Sequence, residues 1–86
     1  MTLKQREIEE QLRRFLVGDL IEDFYGQPYD GDDPLADGVI DSLGVEQLIE
    51  HVNASFGIAL GEDDVVAENF ESLPALAELV ESKVQG

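Results

Sequence analysis

The chain of 86 residues contains no cysteine. It therefore offers no disulfide, no thiolate nucleophile and no cysteine-based metal site of its own, and its composition fits a reducing compartment. Long apolar runs are also missing. None approaches the roughly 20 residues that a membrane-spanning helix needs, and the opening stretch MTLKQREIEEQLRR lacks the apolar core of a secretion signal. The expected location is the cytoplasm, with no membrane contact. Histidine occurs once, at His51. Basic residues are scarce and unevenly placed: five Lys and Arg stand against twenty Asp and Glu, a formal charge of −15. Lys4, Arg6, Arg13 and Arg14 lie in the first segment, only Lys83 follows, and from Leu20 to Ser82 there is no Lys or Arg at all. Such a field repels nucleic acid and anionic lipid and attracts basic protein surfaces. Acidity of this kind serves solubility first. Its unbroken extent also favours a face that docks a partner.

Hydrophobic residues make up 43% of the chain, enough to fold. The length argues for one domain, residues 1–86. A domain this small buries only roughly 60–65% of its unfolded-chain surface. It has room for three or four short helices and little room for an enclosed active site.

The pattern along the chain is helical throughout. Thr2 followed by Gln5 forms a capping box, and Ile8, Leu12, Phe15 and Leu16 recur at helical spacing, predicting a first helix over about residues 3–17. It can continue to Phe24 through a weak point at Gly18. The stretch GQPYDGDDPLADGVID, residues 26–41, reads as a loop rich in glycine, proline and aspartate. A loop of this length in a small domain is often functional. A second helix is expected over residues 42–56, with Asp41 as N-cap and Gly57 as C-terminal stop. Glu62, Asp63 and Asp64 favour the start of a short third helix near Val65 and Val66. Ser72 caps a fourth, with Pro74 in its first turn and Leu73, Leu76, Ala77, Val80 and Val84 on one face. The predicted fold is all-α, a small four-helix bundle of three main helices and one short one, with a long loop after the first.

Helical residues advance by about 100° each, so the second helix can be mapped. Val45, Leu48, Ile49, Val52 and Phe56 form its core stripe. Leu43 falls on the opposite side, with Glu46, Gln47 and Glu50, a face that is either simply solvated or a docking surface. Ser42 stands at the helix start, where free N–H groups and the positive end of the helix dipole favour an anion. Either Asp41 or Ser42 merely caps the helix there, or the serine carries a phosphate or phosphodiester. A catalytic serine is disfavoured. It needs a base within hydrogen-bond reach, and His51 lies nine residues, roughly 13 Å, along the same helix. The loop acids Asp30, Asp32, Asp33 and Asp37 do not form an EF-hand, because Pro34 stands where an oxygen ligand is needed and Leu35 where glycine is needed.

Asp41-Ser42-Leu43, preceded by Gly38-Val39-Ile40 and followed by an amphipathic stretch ending at Phe56-Gly57, resembles the modification motif of acyl carrier proteins and peptidyl carrier domains. The resemblance runs from about Leu35 to Val84 and includes FGIAL and ENFESLPALAELV. It implies that Ser42 carries a 4′-phosphopantetheine arm, whose thiol holds cargo as a thioester. It implies that Leu43 is exposed because partner enzymes grip it, and that Asp41 is associated with the divalent ion used by the modifying transferase or only caps the helix. The partners implied are a phosphopantetheinyl transferase, an adenylate-forming acyl or aminoacyl ligase and downstream acyl-processing enzymes. The chain itself is then a non-catalytic carrier. Fatty-acid carriers typically have an acid where this chain has Gly44 and lack the ENF-x-SL pattern of Glu68 to Leu73. Both features are more similar to aminoacyl, peptidyl and D-alanyl carriers. No catalytic domain is attached, so a free-standing, monomeric carrier is expected. The alternative is an acidic helical interaction module, an adaptor or inhibitor, without cofactor.

Overall fold

Apolar residues at every fourth position build the first helix: Ile8, Leu12, Leu16 and Leu20 are all buried. An α-helix makes 3.6 residues per turn, so a four-residue repeat drifts by about 40° each time. The chain corrects that drift by underwinding. In the computed structural model, which describes residues 3–85, helix α1 (Leu3–Arg14) continues as a π-helical stretch from Phe15 to Phe24. The N–H of Tyr25 closes this stretch on the Leu20 carbonyl at 2.9 Å. Most π-helical turns are single bulges; here the winding holds for 10 residues. The expected extension to Phe24 is present, and the change comes at Phe15 as a change of winding instead of a break at Gly18. Thr2, the predicted cap, lies outside the described residues.

Helix α2 spans Ser42–Phe56 and α3 spans Leu73–Gln85, with a 3-10 turn at Ala67–Asn69 between them. Among the described residues there is no strand, so the all-helical class holds. The short member of the bundle is this 3-10 turn, and it begins after Val65 and Val66, not on them. Asp64 is drawn off instead: it accepts from the Gly61 N–H at 3.0 Å and pairs with Lys83 at 2.9 Å. Those two contacts hold its carboxyl below the ordinary range, the Gly61 N–H contributing most.

Both predicted boundaries of α2 are present. Asp41 caps its start, and Gly57, at φ 65°, supplies the left-handed residue that ends it. Leu48 and Val52 form the buried centre of its stripe, flanked by half-buried Val45, Ile49 and Phe56. Each fully buried aliphatic side chain contributes about 1.5–3 kcal/mol. On α3, Leu73, Leu76, Ala77 and Val80 are buried as predicted. Val84 is not; it is 37% exposed, in the last turn of the helix.

The loop between the first helix and α2 is pinned to the core, not draped over it. Pro34 and Leu35 are buried. The Asp33 carboxylate accepts from the N–H groups of Leu35 and Ala36, and from that of Leu73 at 3.1 and 3.0 Å. Arg13 donates to the Asp32 carbonyl at 3.0 Å, and Tyr29 donates to Asp37. Asp33 and Asp37 thus have protein donors as partners. The loop delivers Asp41 and Ser42 to a fixed place.

Candidate functional site

Ser42 is the first residue of α2 and is exposed. Its hydroxyl is not the cap. Asp41, in extended backbone at φ −91° and ψ −174°, takes that role: its Oδ1 accepts from the Gly44 N–H at 2.9 Å. Of the two candidate caps, the aspartate is used and the serine is spared. No hydrogen bond among the described residues uses the Ser42 hydroxyl, which stands at the positive end of a 15-residue helix.

The same Oδ1 of Asp41 accepts a second hydrogen bond, from the Tyr25 hydroxyl at 2.5 Å. Tyr25 is the residue on which the π-helical stretch ends, so the end of the first helix is tied directly to the start of α2. The two donors, Tyr25 first and the Gly44 N–H second, hold the Asp41 carboxyl below the ordinary carboxylate range. The phenol is correspondingly pushed up, chiefly by its bond to the carboxylate.

Gly44 completes the arrangement and is buried. A Cβ on it would lie 2.6 Å from the Tyr25 hydroxyl and 2.7 Å from Cγ2 of Ile40. Only glycine lets these two side chains come so close over the first turn of the helix. Sequence reasoning used Gly44 as a mark of carrier subtype and missed its packing role. The available signal was a glycine in the first turn of an otherwise amphipathic helix, which marks a close approach. Nothing in the sequence announced Tyr25.

Of the predicted docking residues, Leu43 is 47% exposed, and Glu46 and Glu50 are exposed. Gln47 is half-buried, at the edge of that face. It lies between Gly44 and His51 at helical spacing, and both of these meet the first helix: Gly44 under Tyr25, and His51 in a ring stack on Phe15 with centroids 3.9 Å apart. Burial lowers the His51 pKa, with Asp19 opposing. The histidine is thus a helix-flank residue engaged with Phe15 and Ser55, and the structure does not bring it to Ser42.

Hollows lie both near and beyond this region. Val45, Val65, Val66, Ala67 and Phe70 line a shallow apolar groove of about 180 Å³ beside α2. A larger one of about 430 Å³, between Glu68, Glu71, Glu78 and Ser82, includes no residue of the α2 start. No protein-family model matches the chain, and no curated protein matches it.

Proposed function

We propose that this protein is a carrier that bears a 4′-phosphopantetheine arm on Ser42 and presents an acyl or aminoacyl group to partner enzymes. The observation that carries this reading is the spared serine. Asp41 caps α2, so the exposed Ser42 hydroxyl is left without a structural task at a helix start that favours a phosphodiester. The exposure of the serine supports the arm, since a large substituent needs an open position. When bound, the arm would supply the thiol that this chain lacks.

The partners are a phosphopantetheinyl transferase, an adenylate-forming ligase and downstream acyl-processing enzymes. Exposed Leu43 offers them an apolar contact, and Glu46 and Glu50 steer a basic surface toward it. The aminoacyl or peptidyl type is favoured by the segment from Glu68 to Leu73. Gly44 is a weaker guide to subtype, because its close packing under Tyr25 already requires it.

The test is intact mass after incubation with coenzyme A and a broad-specificity transferase. The expected result is one added arm on the native protein and none on Ser42→Ala, whose far-ultraviolet spectrum and melting temperature stay close to native. A native protein that gains no mass overturns the reading and leaves the acidic interaction module in its place. Arm addition to Ser42→Ala overturns the site.

A further inference from the structure

Three observations converge on Tyr25. Its hydroxyl bonds the carboxylate next to Ser42, at 2.5 Å. It shares Oδ1 of that carboxylate with the Gly44 N–H, so a single oxygen holds both the helix cap and the neighbouring helix. Its approach is permitted only by the missing side chain at Gly44. Tyr25 and Asp41 are 16 positions apart, with the whole loop between them. A link placed there fixes the first turn of α2 against the end of the π-helical stretch.

Ser42 and Gly44 are two residues apart, so they point to opposite sides of the first turn. Tyr25 therefore presses on the inner side and leaves the outer side, with the serine, open. We propose that Tyr25 is the positioning residue for modification of Ser42: acting through Asp41, it sets the orientation in which the serine hydroxyl meets the transferase. This inference rests on the carrier reading.

In the transfer, the Ser42 hydroxyl oxygen bonds to the phosphorus that bears pantetheine in coenzyme A. The bond from that phosphorus to the bridging oxygen breaks, 3′,5′-adenosine diphosphate leaves with the electron pair, and the serine proton passes to a base on the transferase. Nothing is oxidised or reduced. Orientation is where the carrier contributes, since a misplaced acceptor loses rate even when the chemistry is supplied by the enzyme.

The test is a double-mutant cycle with arm addition as the readout. Tyr25→Phe keeps the ring and removes the hydroxyl. It is expected to lower kcat/KM for arm addition by roughly ten- to hundredfold, the loss typical of one hydrogen bond to a charged group. In an Asp41→Ala background, which removes the side-chain acceptor altogether, the same change should cost much less, because the partner through which Tyr25 acts is gone. Gly44→Ala, whose added carbon meets both the phenol and Ile40, should lose at least as much as Tyr25→Phe. It covers the contact independently if Tyr25→Phe melts below the assay temperature. A Tyr25→Phe protein modified at the native rate overturns the inference and leaves the carrier reading intact. So does a loss equally large with and without the Asp41 carboxylate, since the tyrosine then acts only through stability. A native protein that takes no arm overturns both.

Discussion

Helices α2 and α3 both begin beside a serine followed by a leucine, Ser42-Leu43 and Ser72-Leu73. In α3 the serine is the cap: its Oγ accepts from the Ala75 N–H at 3.2 Å, and Leu73 is the first helical residue and 0% exposed. In α2 the cap is one residue earlier, at Asp41. The serine is then helical, the leucine falls at the second position, and Leu43 is 47% exposed. One residue of helix is a rotation of about 100°. Moving the cap by one position turns one leucine into the core and the other into solvent, and converts a structural serine into a free one. The lesson is that the chemistry available at a helix start depends on which residue satisfies the backbone.

The largest expected difference is between the leucines. Leu73→Ala should cost about 2–5 kcal/mol, as a core truncation does, whereas Leu43→Ala should stay within about 0.5 kcal/mol. On the carrier reading, Leu43→Ala should instead slow loading. Thermal melts and loading kinetics on the two variants decide this; an unfolded Leu43→Ala removes the contrast.

Asp33 comes next. It supplies the second anchor of α3, so Asp33→Ala should cost roughly 1.5–3 kcal/mol, the range for hydrogen bonds to a charged group. Chemical denaturation measures it. Ser42→Ala, at the exposed start of α2, should change stability by less than about 0.5 kcal/mol in the same experiment.

The caps follow. Ser72→Ala should lower stability by about 1 kcal/mol and leave arm addition at the native rate. Equal stability losses for Ser42→Ala and Ser72→Ala would show that Ser42 also caps.

The smallest effect is with acid. Asp41 has a depressed pKa in the folded state, so its contribution is present above its ordinary value of 3.8 and is lost as pH falls through the depressed one. A serine hydroxyl does not titrate there. The protection of the Gly44 amide, relative to its intrinsic exchange rate, should therefore fall below that value before that of Ala75 does. Simultaneous loss of protection at both amides would mean that global unfolding, not the cap, is being read.

Much of this was legible. The caps at Asp41 and Ser72, the stop at Gly57 and the inward face of α2 are local patterns that neighbouring residues dictate, and they appear where the sequence puts them. The underwound stretch from Phe15 to Phe24 was not legible, because its winding answers to the core it packs on. The same holds for Asp33, whose partner Leu73 is 40 positions away, and for Tyr25, whose partner is across a loop. Asp64 departs from the expected helix start because the Gly61 N–H beside it and Lys83 across the fold both engage its carboxylate. At the candidate site, the serine and its cap could be read from sequence, and the contact that orients them could not.

The bond from Asp33 to Leu73 also has a kinetic consequence. Helical turns and short loops form within microseconds, whereas a contact spanning 40 positions has to wait until both segments are in place. A staple that closes after the rate-limiting step has little influence on how fast the chain folds. Its weight falls on the reverse process. The folding and unfolding rates of Asp33→Ala read out when the staple closes: faster unfolding at an unchanged folding rate marks a latch that sets how long each molecule stays native, and slower folding marks a contact already made at the barrier.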